Sequence, residues 1–517
     1  MQLTQALHKA LRECPQRPAT VCAGRRQSYQ RLVHRVARLG AALRSLGVRP
    51  GDRVGMLGLN SDRYIEYLYG TLWSGAAINP INARWSVAEI AYSLDDCDTR
   101  VLLVDDSFAQ LIGPLRQQSR SLTTVVYAGD GSLPPEALSY EELLAHSEPA
   151  SDAGAGDRDL AAVLYTGGTT GHPKGVMLSH DNLALNVFAT LAASPRLPGA
   201  VGLHVAPLFH VAGVSLILQL TARHGCQVVL PGFEPGAALR AIEAEKVQET
   251  FMVPTMIRLL LEHEEFPQRD LRTLRTLLYG ASPIDPTLQQ QLLTLLPQLE
   301  CCQLYGQTEA APCVTALTPE HHRKGGDSRK RASAGRPLGI AEVRVVDPAG
   351  TELPNGQVGE ICVRGPTVML GYWNKPELTA EAVRDGWLHS GDAGYQDEDG
   401  FIYVVDRIKD MIISGGENVY SCEVEKALLS HPAVAMCAVI GVPDERWGER
   451  VHAVIVRQPD STVLDSEIIA HCKSLIAGYK CPRTVEFRNA LPLSAAGKLL
   501  KHVLREPYWR GRGRRIA

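Results

Sequence analysis

A loop rich in glycine and threonine, residues 166–175, carries the clearest chemical signal in this sequence. It reads Thr-Gly-Gly-Thr-Thr-Gly-His-Pro-Lys-Gly. Glycine tolerates positive φ, so successive backbone N–H groups can turn toward one point and form a nest for an anion. The threonine hydroxyls add donors, and Lys174 adds a positive charge. The loop therefore predicts a cradle for a polyphosphate.

The residues on either side predict a strand before the loop and a helix after it. The apolar run 160–164 is typical of a buried strand, and Asp181 with Asn182 opens an apolar-periodic segment. The loop is not a Walker A motif, which requires Ser or Thr after the lysine. Here Pro173 precedes Lys174 and Gly175 follows it.

Further short motifs follow along the chain. They are Phe209-His210, the small-residue loop Gly280-Ala281-Ser282, Tyr305-Gly-Gln-Thr-Glu309, Ser390-Gly-Asp392, Asp406-Arg407, Gly415-Gly416 and Pro492-Leu-Ser-Ala-Ala-Gly-Lys498. In this order, the motifs resemble those of the acyl-CoA synthetase family, the adenylate-forming, AMP-binding enzymes that include fatty-acid and aryl-acid CoA ligases. The resemblance runs from about residue 165 to about residue 500. One departure is Gly167, where the family usually has serine.

The resemblance implies a binding site for ATP. The loop would cradle the phosphates, residues 280–282 would lie along adenine, Tyr305 would stack on adenine, and Asp392 with Arg407 would bind the ribose. The residues implied in nucleotide binding are Thr166, Gly167, Gly168, Thr169, Thr170, Gly171, Lys174, Gly280, Ala281, Ser282, Tyr305, Asp392 and Arg407.

The resemblance also implies the catalytic groups. Lys498 takes the position of the catalytic lysine, Thr308 bonds a phosphate, Glu309 holds Mg²⁺, and His210 lies at the mouth of the acyl pocket. One carboxylate is a sufficient protein contribution, because Mg²⁺ is usually held by one or two carboxylates and by substrate phosphates. Lys501 is the alternative lysine, but no glycine precedes it.

Coenzyme A is the implied acceptor of the acyl group. Gly415 and Gly416 would approach the pantetheine tunnel, and the residues that resemble CoA contacts in some aryl-CoA ligases are Trp447, Tyr479, Lys480 and Arg483. Cys481 stands where a basic residue can occur, which weakens the expectation of one phosphate contact.

The sequence predicts an α/β fold with two domains. Strands such as 52–59 and 100–105 alternate with helices such as 63–73, as in parallel βαβ units. The resemblance implies a large N-terminal domain of layered α/β sheets with a β subdomain, residues 1–408. A small mobile α+β domain, residues 409–517, would follow and rotate about a hinge at Lys409.

The implied activity is that of an ATP-dependent acid–CoA ligase, with a carboxylic acid as the small-molecule partner. The expected acyl wall, residues 209–214, 251–256 and 310–312, has no lysine or arginine. We therefore expect a medium- or long-chain fatty acid. An aromatic acid is the alternative, because small Ala310 and Ala311 would admit a flat ring. Other hypotheses are loading of a carrier protein and an inactive nucleotide-binding protein that lacks the loop serine.

Length, charge and composition bear on the number of domains, on nucleic-acid binding, on membrane spans and on the state of the cysteines. A length of 517 residues favours at least two domains, and a net charge of −3 gives no general attraction to nucleic acid. No apolar run approaches the ~20 residues that span a membrane, and the N-terminus lacks the apolar core of a signal peptide. The twelve cysteines include no C-x-x-C pair. We expect buried thiols in the cytoplasm, and a homodimer is possible.

Overall fold

A computed structural model describes residues 1–166, 173–194, 196–323, 327–494 and 499–510 of the chain. The chain divides into two compact units. The first unit contains residues 1–342 and 363–388, and the second contains residues 343–362 and the chain from residue 389 onward.

The larger sheet of the first unit has nine strands. In spatial order they are Arg336–Pro337, Cys313–Leu317, Glu300–Gly306, Thr276–Gly280, Glu249–Met252, Val201–His204, Cys226–Val229, Pro18–Cys22 and Arg25–Ser28. The central strands are parallel. Glu249–Met252 and Thr276–Gly280 are buried along their whole length, as expected of parallel strands covered on both faces. Their carboxyl ends therefore meet at one edge of the sheet.

The second sheet of this unit has eight strands. In spatial order they are Gly371–Tyr372, Lys174–Ser179, Leu160–Thr166, Ala77–Pro80, Arg53–Leu57, Val101–Val104, Thr124–Tyr127 and Leu138–Ser139. Leu160–Thr166 and Lys174–Ser179 pair antiparallel, with Thr166 opposite Lys174. The two ends of the glycine-rich loop are thus held together by a strand pair.

Helices cover these sheets. The helices of the first unit are Gln5–Glu13, Tyr29–Ser45, Asp62–Trp73, Val87–Asp96, Ile112–Gln118, Tyr140–His146, His180–Ala193, Val211–Ala222, Pro235–Ala244, Pro254–Leu261, Pro286–Leu295, Pro319–His322, Ser328–Arg331 and Pro376–Ala382. Short 3₁₀ turns are Asp106–Leu111, Phe266–Gln268 and Thr308–Ala310. A short strand, Val383–Arg384, pairs with residues 387 and 388.

The helix after the glycine-rich loop begins at a capping box. The Ser179 hydroxyl accepts a hydrogen bond from the N–H of Asn182, and the Asn182 side chain accepts one from the N–H of Ser179. Two N–H groups without helical partners are satisfied in this way. The strand Lys174–Ser179 therefore passes into the helix His180–Ala193 without an intervening loop.

Antiparallel pairing dominates the second unit. Three of its strands lie partly in the first unit: Glu342–Val346, Gly359–Arg364 and Trp387–Gln396. The strands that lie wholly in the second unit are Ile402–Arg407, Ile412–Ser414, Glu417–Val419, Val434–Asp444, Gly448–Arg457 and Thr484–Phe487. Its helices are Ser421–Leu429, Asp465–Leu475 and Lys501–Trp509, with a 3₁₀ turn at Ile408–Asp410. Val434–Asp444 pairs with Gly448–Arg457 over ten residue pairs, and the core includes Ile412, Val439 and Ile455.

The predicted fold class is confirmed. The predicted strand at 52–59 is found as Arg53–Leu57, the helix at 63–73 as Asp62–Trp73, and the strand at 100–105 as Val101–Val104. The domain boundary between residues 408 and 409 stays a prediction. Ten of the twelve cysteines are buried, and all twelve are thiols without a disulfide bond. Among the described residues, no helix combines the length and the apolarity needed to cross a bilayer.

Packing of the nine-stranded sheet can be tested with two leucines of one helix, Pro286–Leu295. Leu292 is 1% exposed and contributes to the core, whereas Leu295 is 44% exposed. We expect Leu292→Ala to lower the free energy of unfolding by about 2–5 kcal/mol, because it leaves a cavity. Leu295→Ala is the matched control and should change it by less than about 0.5 kcal/mol. Urea denaturation measures both values, and equal losses would contradict the assigned burial.

Candidate active site

The glycine-rich loop starts and ends on a strand pair that other side chains hold in place. Residues 167–172, which include the predicted Gly167, Gly168, Thr169, Thr170 and Gly171, lie outside the described residues. Thr166 and Lys174 flank them as the last pair of the ladder. The hydroxyl of Tyr165 donates a hydrogen bond to Asp96 at 2.7 Å. This bond fixes the strand directly before the loop.

Lys174, Tyr372 and Glu309 form a chain of contacts at this edge. The ammonium nitrogen of Lys174 lies 5.1 Å from the centroid of the Tyr372 ring, and the Tyr372 hydroxyl donates to Oε1 of Glu309 at 2.9 Å. Burial and the nearby Glu309 carboxylate raise the pKa of Tyr372. The hydroxyl therefore stays protonated and remains a donor to the carboxylate.

Tyr372 is a site residue that the sequence analysis missed. It lies in the two-residue strand Gly371–Tyr372, which pairs with Lys174–Ser179 and places Tyr372 opposite Val176. The N–H of Trp373 also donates to the carbonyl of Gly175 at 2.8 Å. The sequence signal for Tyr372 was a glycine followed by two aromatic residues, Gly371-Tyr372-Trp373. The contacts of Tyr372 with Lys174 and Glu309 were not predicted, because these residues are distant in sequence.

The turn that carries Thr308 and Glu309 is held on both sides. The N–H of Met369 donates to the carbonyl of Glu309 at 2.9 Å. The Asn186 side chain donates to the carbonyls of Ala310 and Cys313 at 3.3 and 2.7 Å. Thr308 is buried, and Glu309 is half-buried. The Glu309 carboxylate thus stands on a rigid turn.

Two parallel strand ends bring the predicted adenine-binding loop beside the Tyr305 motif. Gly280 pairs with Leu304 in neighbouring strands. A Cβ at Gly280 would lie 2.1 Å from the Leu304 carbonyl oxygen, so only glycine fits there. Ala281, Ser282 and Tyr305 are half-buried at this edge. Ligands commonly bind at the carboxyl ends of parallel strands, which makes this edge a candidate nucleotide site.

His210 lies where the helix Val211–Ala222 begins. Its Nδ1 accepts a hydrogen bond from the N–H of Ala212 at 3.3 Å, and the ring is half-buried. The half-buried apolar side chains of Ala212, Met256, Ala281 and Ile340 pack against a buried cluster that contains Phe251, Leu278 and Leu304. This apolar wall could hold the carbon skeleton of an acid.

The second unit brings Asp392 and Arg407 together. They face each other across antiparallel strands, and Nε of Arg407 lies 2.6 Å from Oδ1 of Asp392. The Asp392 side chain is 7% exposed and that of Arg407 is 39% exposed. The N–H of Asp392 donates to the Ser390 hydroxyl at 3.0 Å. A carboxylate held this way can accept hydrogen bonds from two adjacent hydroxyls.

Gly415, Trp447 and Arg483 also lie together in the second unit. The N–H of Gly415 donates to the Trp447 carbonyl at 2.8 Å, and the Arg483 guanidinium lies 4.8 Å from a Trp447 ring centroid. Gly415 and Gly416 both have positive φ, at 63° and 85°. A Cβ at Gly415 would lie 2.7 Å from the Trp447 ring. The predicted CoA contacts at these positions therefore form one surface.

Lys480 forms an ion pair, whereas the next residue, Cys481, is buried. The Lys480 ammonium donates to Glu423 at 2.7 and 2.9 Å, and this bond raises the pKa of Lys480. Tyr479 is 42% exposed, whereas Cys481 is buried and its thiol contacts the carbonyl of Ala477 at 3.5 Å. Cys481 thus serves the packing of this unit.

Lys498 lies outside the described residues, but Lys501 does not. The Lys501 ammonium lies 2.8 Å from Glu425 and donates to the Ser421 hydroxyl at 2.5 Å. Burial acts to lower the pKa of Lys501, but the Glu425 carboxylate outweighs burial and raises it. Lys501 is therefore committed to a buried, charged network.

Comparison with known proteins gives the family. Residues 7–373 match the AMP-binding enzyme family, and residues 423–498 match the AMP-binding enzyme C-terminal domain. A feruloyl-CoA synthase from Amycolatopsis sp is 42% identical, over 96% of this chain and 97% of its own length. The fatty acid–[acyl-carrier-protein] ligase ScoC from Streptomyces coeruleorubidus is 35% identical, over 97% of this chain and 95% of its own.

A solved structure is also similar to this chain along nearly its whole length. ATP-bound MatB from Rhodopseudomonas palustris superposes with a TM-score of 0.88 and is 31% identical, over 98% of this chain and 99% of its own. Both the sequence and the fold match across nearly the whole length. The chain therefore belongs to the family of AMP-binding enzymes, the adenylate-forming acyl-CoA synthetases, and it is an AMP-forming acid–thiol ligase.

Proposed function

We propose that this protein joins an aromatic acid of the hydroxycinnamate type to coenzyme A at the expense of ATP. The acid carboxylate attacks the α-phosphorus of ATP, which gives acyl-AMP and pyrophosphate. The CoA thiol then attacks the acyl carbon, which gives acyl-CoA and releases AMP. The observation that carries the choice of acid is the 42% identity to a feruloyl-CoA synthase along nearly the whole chain, because the feruloyl group is a substituted cinnamoyl group.

The apolar wall supports a flat substrate. Ala212, Met256, Ala281 and Ile340 are half-buried, and two of these four side chains are single methyl groups. Phe251 lies in the buried cluster behind them and supports the wall. Aromatic rings pack well against such surfaces. A medium- or long-chain fatty acid, the acid expected from the sequence, is the second candidate, and the 35% identity to ScoC favours it.

The residues of the proposed nucleotide site are those that the family resemblance implies. Thr166, Lys174 and the loop between them would hold the phosphates, and Ala281 with Tyr305 would hold adenine. Asp392 and Arg407 would hold the ribose through the paired geometry of their strands. Lys498 would lie between the acid carboxylate and the α-phosphate and stabilise charge where it develops.

The residues at Glu309 fit a magnesium ion. Tyr372 donates to Oε1 of the carboxylate, and within the part of the chain that the structure describes no donor to Oε2 is found. Mg²⁺ prefers oxygen ligands and is often bound by one carboxylate plus substrate phosphates. When bound, the ion would supply charge neutralisation of the departing pyrophosphate. Tyr372 would orient the carboxylate.

The proposed CoA surface is formed by Gly415, Gly416, Trp447, Lys480 and Arg483. An arginine stacked on a tryptophan face is a suitable contact for a nucleotide. We retain the domain boundary at residues 408 and 409 as part of this proposal. Lys409 would act as the hinge about which residues 409–517 rotate between the two half-reactions.

The identity of the acid is tested by a substrate panel. We expect pyrophosphate release with ATP and Mg²⁺ to be fastest with ferulate or 4-coumarate, at a kcat/KM at least about tenfold above octanoate and palmitate, because a pocket shaped for one skeleton discriminates by about 1–3 kcal/mol. Release should rise when CoA is added. Fastest turnover of fatty acids would favour the second candidate, and indifference to CoA would favour a carrier protein.

The role of Lys498 is tested by separating the half-reactions. Lys498→Ala should slow acyl-AMP formation by about 10²–10³-fold, because it removes a charge that acts in the transition state. Formation of acyl-CoA from added acyl-AMP should be nearly unchanged. Lys473→Ala, at an exposed lysine of the same unit, is the control. Equal loss in both half-reactions would contradict the assignment.

The role of Tyr372 is tested by removing one oxygen. Tyr372→Phe should raise the Mg²⁺ concentration needed for half-maximal adenylation by about 10–100-fold, because the residue orients a metal-binding carboxylate. Tyr403→Phe removes a hydrogen bond to another carboxylate, Asp397, and serves as the control. An unchanged Mg²⁺ requirement would show that Tyr372 does not support Glu309.

A further inference from the structure

Three potential metal ligands of different chemistry meet in the second unit. Glu360 and Cys362 alternate on the strand Gly359–Arg364, and His389 lies on the neighbouring strand Trp387–Gln396. Side chains two residues apart on a strand point to the same face. The carboxylate and the thiol are therefore presented together to the imidazole.

The ligand atoms are close enough to share one ion. The thiol sulfur of Cys362 lies 3.4 Å from Nδ1 of His389, and the same nitrogen lies 2.7 Å from Oε2 of Glu360. All three atoms lie within 4.8 Å of one another. Cys362 is fully buried, and the side chains of His389 and Glu360 are 8% and 20% exposed. The cluster is thus shielded, with its access on the glutamate side.

We propose that Glu360, Cys362 and His389 form a binding site for Zn²⁺. Thiolate, imidazole and carboxylate are the ligands that zinc prefers, at bond lengths of about 2.0–2.3 Å. Two ligand atoms on one tetrahedral zinc ion are then separated by roughly 3.3–3.6 Å. The sulfur–nitrogen distance already fits this range, and the nitrogen–oxygen distance needs to open by about half an ångström.

Zinc binding requires defined protonation changes. The Cys362 thiol loses its proton to solvent, and His389 binds as a neutral ring that carries its proton on Nε2. Three protein ligands leave the fourth tetrahedral position to water. Magnesium is a poor occupant, because it prefers oxygen ligands only. The site therefore differs in metal preference from the carboxylate of Glu309.

The zinc site is joined to the turn that carries Asp392. The N–H of Gly391 donates to Oε1 of Glu360 at 3.0 Å, and Asp392 follows directly. Glu360 can retain this bond through Oε1 while Oε2 binds the ion. A shift of Glu360 on binding would be transmitted to Asp392 through a single residue.

The test uses the 517-residue chain, treated with a chelator and kept reduced, with Co²⁺ as a probe. We expect one equivalent of Co²⁺ to produce a thiolate-to-cobalt charge-transfer absorption that Zn²⁺ abolishes and that excess Mg²⁺ does not. Cys362→Ser should remove this absorption and weaken Zn²⁺ binding by at least about tenfold, the lower end of the loss seen when even an outer-shell partner is removed.

Matched variants keep the test decisive. Cys437→Ser, at another buried cysteine of the same unit whose thiol contacts the carbonyl of Glu425, should leave the absorption intact. Glu360→Gln should weaken binding and keep the absorption, and it carries the test if Cys362→Ser does not fold. No absorption in the wild type, or equal absorption after Cys362→Ser, would leave only a hydrogen-bonded Glu–His pair and overturn the proposal. None of these readouts depends on ligase activity.

Discussion

Close approach of backbones at two glycines sets the geometry of the first unit's site. A Cβ at Gly280 would lie 2.1 Å from the Leu304 carbonyl oxygen, and a Cβ at Gly306 would lie 2.0 Å from the Pro312 carbonyl oxygen. Side-chain carbons do not approach carbonyl oxygens this closely. The absence of side chains lets neighbouring strand ends meet, so the loop after Gly280 and the turn with Thr308 and Glu309 share one edge.

Tyr372 connects Lys174 of the glycine-rich loop to Glu309 at this edge. Tyr372 contacts the Lys174 ammonium with its ring and the Glu309 carboxylate with its hydroxyl. The positive charge of Lys174 and the negative charge of Glu309 therefore both lie beside the uncharged Tyr372 side chain. Tyr372 therefore contacts both charged groups, one through its ring and one through its hydroxyl.

Local features of the sequence predicted much of the fold and the motifs. Apolar runs such as 101–104 identified buried strands because burial on both faces leaves few polar positions. The family resemblance implied that Asp392 and Arg407 both contact the ribose, and the structure pairs them across two adjacent strands. Tyr372 was missed because its partner Glu309 is 63 residues away, and no periodic pattern reports such a contact. The ion pair of Lys501 with Glu425 was hidden for the same reason.

Under the proposed function, the choice of acid depends on the shape of the apolar wall, which the sequence leaves open. Single short motifs do not encode that shape, since Ala212, Met256 and Ile340 come from three separate segments that converge only in the folded protein. The fourth residue of the wall, Ala281, directly follows Gly280, where an added side chain would collide with backbone. Substitutions at Ala212, Met256 or Ile340 would therefore alter the volume of the wall and leave Gly280 and Gly306 unchanged. These three positions offer protein engineers a route to new acyl groups that preserves the backbone contacts at the two glycines.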